Sequence, residues 1–528
     1  MASIDALGVK PQLWGGSKRD EYDVVVIGAG MAGLTAGALL AHAGKSVLVV
    51  EADEKPGGYT HALCRDGYTF DRADNLITSC SPDGPFGQGV IDAVLRELGV
   101  RDQCEFVRVD DPFYVARYPD LELAVPCGRE PFLEAHLRHF PREEHGLRRL
   151  AELCAQINRE ILSSPLLFRT MDLARMPLRS PTLFRYRNAT MRDVIDRELS
   201  DPRLKEAYSS LWTWVGTPPS QSSFVIWAAV MANYIDDGAY YCLGGFDKLV
   251  EAVVCGLERA GGELLLGRRA VQILTDARGV TGVELDTGHR VSATTVVSAI
   301  DAPTTFNQLL EPDRLPARFA RRLRGMDLSM SISTMYLGTD LDARALGAQH
   351  ENLVARSWDH ERAYAANCAE QMSEAFVVIP SLTDPSLAPP GHHVVIVQGD
   401  APRESGATPP GRARAADHLL SFAEQVLPGL RDHLTFVEPS ATGADDPRVH
   451  RMGPIYGWSL SPGQFGPRRL SPRTPVNRLF LAGQWTQPAH GVFSVMQSGV
   501  QAARLALGVP TAIPAVPLGL TRPIAATA

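Results

Sequence analysis

Gly28, Gly30 and Gly33 form a G-x-G-x-x-G run, and Glu51 follows it after a helix-length interval. Residues of these types at this spacing can hold a dinucleotide. Gly28 permits a tight turn, Gly30 lets the backbone approach a pyrophosphate, and Gly33 allows a helix to pack closely on a strand. The free N–H groups that open the helix that follows, and the positive end of its dipole, would face the phosphates. Glu51, with Ala52 beside it, stands where a carboxylate accepts hydrogen bonds from a ribose diol. A glycine turn that merely joins strand to helix would use the same three glycines, so the surrounding elements decide.

Those elements are legible. Residues 23–27 read as a buried strand, 34–43 as a small-residue helix and 46–50 as a second strand ending at Glu51, which together make a βαβ unit. Downstream, 91–98 and 147–161 carry apolar residues at helical spacing. Strands are expected at 271–274, 280–285, 290–293 and 296–299, with a hairpin turn at Asp286-Thr287-Gly288. Further strand-like runs fall at 329–338, 375–380 and 393–398, and a last strand at 479–482 precedes a loop and a helix over about 491–506. Residues 1–21 read as a flexible polar leader and 509–528 as a disordered tail rich in Pro and Ala.

Composition excludes several classes. In 528 residues, 45% hydrophobic and 21% charged is a globular composition, neither disordered nor collagen-like. The net charge of −8 argues against a nucleic-acid partner, because phosphate recognition needs concentrated positive potential. The eight cysteines include no CxxC and the histidines no HxxxH, so no metal site is expected. Scattered cysteines read as reduced, buried small hydrophobes in a cytoplasmic protein. The N-terminus has no signal-type apolar run, and the apolar stretch 224–232 is far short of the ~20 residues that span a bilayer. Peripheral membrane contact stays open.

The residues after Glu51 choose between cofactors. Lys55-Pro56-Gly57-Gly58-Tyr59-Thr60-His61 is a second glycine turn, and a Glu followed by such a loop resembles the FAD-binding start of the amine oxidase and phytoene desaturase superfamily. Leu479 through Gly483-Gln484-Trp485 to His490-Gly491-Val492 is similar to the superfamily's C-terminal flavin segment, where a helix N-terminus points at the flavin's pyrimidine edge. Such a dipole stabilises the anionic reduced ring. Tyr240-Tyr241-Cys242-Leu243-Gly244-Gly245 resembles an element of phytoene desaturases, carotenoid isomerases and retinol saturases. Ser298-Ala299-Ile300-Asp301, Ser329 to Gly338 and Asp384-Pro385-Ser386 also match, so the resemblance spans about 22–508. Departures occur at Ala73, where glycine is usual, at Gln484, where an acid is common, and at His490, where a small residue is common.

The resemblance implies an α/β fold: a Rossmann-like FAD-binding domain of the GR2 flavoprotein type with an inserted mixed α+β substrate domain. The cofactor domain is expected from 22–90, 240–302 and 475–508, and the substrate domain from 91–239 and 303–474. FAD contacts are expected at Gly28, Gly30, Met31, Ala32, Gly33, Glu51, Ala52, Gly57, Gly58, Tyr59, Thr60, Gly483, Gln484, Gly491 and Val492. His490, His61 and Tyr241 are the candidate catalytic groups. An imidazole titrates near neutral pH, although either histidine could instead shape its loop through hydrogen bonds. Trp212, Trp214, Trp227 and Tyr240 are candidate pocket residues, with ordinary core packing as the alternative. Trp485 either covers the flavin or packs in the core.

The implied activity is desaturation, saturation or isomerisation of C–C or C=C bonds in a largely apolar small molecule, by hydride transfer through the flavin. Oxygen, a quinone or NAD(P)H would serve as external electron acceptor or donor, since a second dinucleotide fingerprint is missing from the sequence. An amine or amino-acid oxidase shares the fold and both terminal motifs. A non-catalytic prenyl-binding module of the Rab GDP-dissociation-inhibitor type is the third reading, and the retained glycines weigh against it.

Overall fold

The computed structural model describes residues 19–72, 75–80, 89–164, 170–368, 371–401, 409–439 and 454–509. Ala73, the leader up to residue 18 and the tail from 510 lie outside the described residues.

Three distant stretches of chain build the first sheet. Its strand order is Ala270–Asp276, Gly279–Leu285, Arg290–Ser298, Glu21–Ile27, Val47–Val50 and Glu263–Leu265, with Leu479–Leu481 paired to Arg290–Ser298. Glu21–Ile27 runs parallel to both of its neighbours, in the register Val25 to Leu48 and Val25 to Val296. The four central residues Val24 to Ile27 are buried on both faces, which is why they read as a continuous apolar run rather than an alternation. The two strands expected within 290–299 are one, Arg290–Ser298. Its first half alternates exposed and buried against Gly279–Leu285, and its second half is buried against Leu479–Leu481. A change of partner midway, not a break in the backbone, causes the change of pattern.

The first helix is Met31–His42, three residues earlier than the apolar pattern suggests. Gly33 is therefore inside it, and a Cβ there would overlap the Gly28 carbonyl oxygen. Gly37 lets the same helix lie on the sheet, since a Cβ would sit 2.8 Å from Val49. The C-terminal helix Val492–Ala506 crosses it at Gly499, where a Cβ would come within 2.6 Å of the Ala32 oxygen.

The second sheet has the order Leu434–Pro439, Ser331–Thr339, His393–Ala401, Glu374–Val378, Glu351–Ala355, Tyr114–Tyr118 and Leu121–Val125. Tyr114–Tyr118 joins it parallel to Glu351–Ala355, and the other pairings are antiparallel. The 91–239 stretch, which reads as helical, thus also contributes a hairpin turning at Pro119-Asp120. Helices Glu144–Leu162 and Phe224–Ala232 pack above one face of this sheet. Among the described cysteines none is in a disulfide; most are buried, but Cys64 is exposed on a short edge strand.

Candidate flavin site and adjoining cavity

The first glycine turn is held from below by Glu51. Its carboxylate accepts hydrogen bonds from the Ala29 N–H (2.6 Å) and the Asp53 N–H (3.0 Å). Burial raises its pKa above the ordinary carboxylate value, and those backbone donors oppose the shift. The Ala52 N–H is a third donor to it, so of a carboxylate's about four acceptor positions one remains for a ribose hydroxyl. Gly57 donates its N–H to the Ala29 oxygen (2.8 Å), which brings the second glycine turn against the first. Gly57 and Gly58 both take positive φ, at 111° and 60°, and a Cβ on Gly58 would lie 3.3 Å from Gly30 Cα. Thr60 is buried just behind, Tyr59 is half-buried, and Ala52 is exposed.

Gly483 follows the strand Leu479–Leu481 with φ of 100° and donates its N–H to Ser498 Oγ (3.0 Å). Gly491 is the N-cap of Val492–Ala506, and Gly30 is the N-cap of Met31–His42; neither end has a side-chain cap or an acidic residue in its first turn. A Cβ placed on Gly30 or on Gly491 would meet nothing within 4 Å. Two helix N-termini with uncapped N–H groups therefore stand beside open space, with Met31, Ala32 and Val492 opening them. Arg72 adds a buried Nε without a hydrogen-bond partner among the described residues. A dinucleotide carrying two phosphates and a polar ring fits this set of donors.

His61 donates from Nδ1 to the Gly58 oxygen (2.9 Å), and burial together with the nearby Arg72 lowers its pKa. The ring is thereby neutral, with Nε2 left as an acceptor. His490 stacks on Tyr456 at 4.0 Å between ring centres and donates from Nε2 to the Val215 oxygen (3.4 Å). Burial, and then the charge of Arg469, push its pKa down to about 3. At that value the imidazole is a poor proton acceptor, and its geometry suits it to positioning.

His490, Gly491 and Val492 line a cavity of about 260 Å³. The rest of the wall includes Trp214, Tyr234 and Phe376. Trp214 and Tyr234 meet edge to face at 4.9 Å. Other residues expected here lie elsewhere. Trp212 and Trp227 are fully buried in the core behind this wall, where the aromatic cluster of Tyr208, Phe224 and Tyr364 packs around them. Tyr240 is outside the lining and donates its hydroxyl to the Asp237 oxygen (3.1 Å). Trp485 packs edge-on to Trp458 in the core beneath the first sheet.

Tyr241 also lies away from the cavity. It is fully buried and donates its hydroxyl to Asp71, whose other oxygen accepts the Phe246 N–H (2.9 Å). This bond ties the 240–246 turn to the strand that follows the second glycine loop. Tyr241→Phe is expected to cost about 1–3 kcal/mol of stability and to leave flavin content and flavin reduction rate unchanged. Thermal melts and stopped-flow reduction measure the two; a rate loss without a stability loss would return Tyr241 to the chemistry.

Two residues were missed from sequence. Arg469 is fully buried, with burial lowering its pKa to about 9. It donates to the oxygens of Thr486 (2.8 Å), Trp458 (3.3 Å), Ser459 (3.4 Å) and Gln484. It thus pins the loop between Gly483 and His490. Glu351 lines the cavity, fully buried on the second sheet. Neither carries a local signal, because Arg469 sits in a Pro- and Gly-rich loop and Glu351 opens a strand with two polar residues.

Similarity to known proteins agrees with this geometry. A family model described as flavin containing amine oxidoreductase matches residues 31–507. Prolycopene isomerase 1, chloroplastic, of an Oncidium hybrid cultivar is 27% identical, covering 95% of this chain and 87% of that protein. Phytoene dehydrogenase of Streptomyces griseus is 29% identical over 92% of this chain and 95% of its own length. The solved structure of putrescine oxidase bound to putrescine superposes with a TM-score of 0.63 at 16% identity, covering 92% of this chain and 99% of that one, and so shares the fold. With the family model spanning nearly the whole chain, this protein belongs to the flavin containing amine oxidoreductases and is an FAD-dependent oxidoreductase.

Proposed function

We propose that the protein desaturates, saturates or isomerises C–C or C=C bonds of a largely apolar, polyene-like small molecule. The first sheet and its two helices would hold FAD, and the second sheet with its covering helices would hold the substrate. The supporting observation is the largely apolar cavity whose lining includes Gly491, the open N-terminus of the helix at the candidate flavin segment. Relatives named for the isomerisation of prolycopene and the dehydrogenation of phytoene support the same class.

When bound, FAD accepts or returns a hydride, the step no side chain can perform. The chain's own residues would hold and enclose. Trp214, Tyr234 and Phe376 offer flat apolar walls to a conjugated chain, which orients it at little entropic cost. His490, neutral and stacked on Tyr456, keeps its part of the lining rigid and uncharged. Net desaturation then needs an external electron acceptor such as oxygen or a quinone, and saturation a donor such as NAD(P)H, whereas isomerisation needs neither. Among the described residues no helix is long and apolar enough to cross a membrane, so a polyene would reach the cavity from detergent, a carrier or a membrane surface.

The test is anaerobic incubation of the flavin-loaded enzyme with phytoene and prolycopene in mixed micelles, with a soluble quinone as acceptor or NAD(P)H as donor in parallel arms, followed by chromatography. The expected product differs from its substrate in the number or geometry of double bonds. Unchanged polyenes together with peroxide release from aliphatic amines in air would overturn the reading in favour of an amine oxidase.

A further inference from the structure

Glu351 is the first residue of Glu351–Ala355, paired with Val378, which is paired in turn with Ile396. Side chains that are paired, or two apart on one strand, share a face of a sheet. Glu351 therefore lies on the face that carries Phe376 and Gln398, and all three line the cavity. It is completely buried, and neither of its carboxyl oxygens has a hydrogen-bond partner among the described residues. Its ionisable neighbour on the adjoining strand, Tyr114, has its hydroxyl engaged with Ser210 Oγ at 2.9 Å. Burial pushes the Glu351 carboxyl up to about 8, which leaves it a neutral acid at pH 7.

An unpaired buried carboxyl is a standing cost to the fold. A plain hydrocarbon in this cavity would leave that cost in place, whereas a polar group on the occupant would relieve it. A neutral carboxylic acid offers one donor and one acceptor, and so does an alcohol. Asn75, also in the lining, has an unpartnered Oδ1 while its Nδ2 donates to Gln398 Oε1 (2.8 Å), which adds an acceptor to the same wall. The lining also carries Asp400, two residues on from Gln398 and so on the same face, with an unpartnered Oδ2, beside apolar residues such as Ile77, Ile226 and Val230.

We propose that Glu351 is a polar subsite of the cavity that receives the hydroxyl group of an otherwise hydrocarbon substrate. This rests on the cavity being the substrate cavity, and it narrows the substrate class from polyene hydrocarbons to hydroxylated ones. A pocket built to bond a hydroxyl discriminates strongly against the analogue that lacks it, because the pocket's own polar atoms are then left bare.

The experiment titrates the flavin-loaded enzyme calorimetrically with decanol, decane and decylamine, three ten-carbon probes that need no turnover. Decanol is expected to bind wild-type enzyme about 10-fold more tightly than decane, the worth of one hydrogen bond. Glu351→Leu should abolish that difference, and Glu351→Gln, which keeps a donor and an acceptor, should retain most of it. Leucine is close in volume and leaves no polar atom unpaired, so the variant should fold at least as stably as wild type. Equal binding of decanol and decane to wild type, or a preference that survives Glu351→Leu, overturns the subsite. A Glu351-dependent preference for decylamine over decanol overturns the hydroxyl assignment. The two readings also fail separately. Inert polyenes with a Glu351-dependent decanol preference sink only the proposed reaction, and polyene turnover without that preference sinks only the subsite.

Discussion

Gly30→Val yields a protein that folds normally and carries little flavin. At this position φ is −67°, comfortable for any L-residue, and a Cβ meets no protein atom within 4 Å. The added side chain therefore occupies only the open space above the uncapped N-terminus of Met31–His42, where a pyrophosphate must approach the backbone. Flavin content after purification should drop by at least about 10-fold, while the melting temperature of the flavin-stripped variant matches that of stripped wild type. Gly33→Ala is the contrasting case. Its Cβ would overlap the Gly28 carbonyl oxygen, a backbone atom that cannot swing aside. Overpacking of this kind costs about 1–3 kcal/mol or more, so both flavin and stability should fall. If Gly30→Val kept its flavin, the dinucleotide assignment of this turn would be wrong whatever the sequence spacing.

Arg469→Met is expected to have the largest effect on stability. The guanidinium has no exposed surface, and it serves carbonyl groups of Trp458, Ser459, Gln484 and Thr486 together. Methionine can fill the volume but cannot donate to any of them. Several buried carbonyls losing their donor at once should cost roughly 3–5 kcal/mol, a fall in Tm of about 3–5 °C in a chain of this size. Arg469→Lys should not rescue, since one ammonium cannot reach a ring of oxygens that a planar fork spans. The loop released is the one that leads to Gly491, so flavin dissociation should speed up as well. The same substitution removes the charge that helps depress His490, whose pKa should then rise. Differential scanning calorimetry and flavin release rates test these outcomes; wild-type stability in Arg469→Met would show that the carbonyls find other donors.

The glycines were readable because their chemistry is local. A turn that must admit a backbone to a phosphate needs glycine at set spacings, and a βαβ unit needs the periodicities that flank it. The first helix boundary moved because the helix already begins within the glycine run, at Met31. The strand Glu351–Ala355 escaped notice for the opposite reason. Its Glu-Asn start looks solvated, yet all five residues are buried between neighbours brought from residues 114–118 and 374–378.

The aromatic residues show the same limit. Trp212, Trp214 and Trp227 are equally apolar in sequence, and only the crossing of their segments with the second sheet puts Trp214 on the cavity wall and the other two behind it. Tyr241 stands in a motif that points to the flavin, and Asp71, 170 residues earlier, draws its hydroxyl into the core instead. The sequence by itself determined the cofactor class and the family, because each depends on residues within one turn of chain. Tertiary structure alone decided which side chains line the cavity, which histidine nitrogen is free and where an unpaired acid is buried. Those properties are sums over neighbours that are distant in the chain, and burial sets their size.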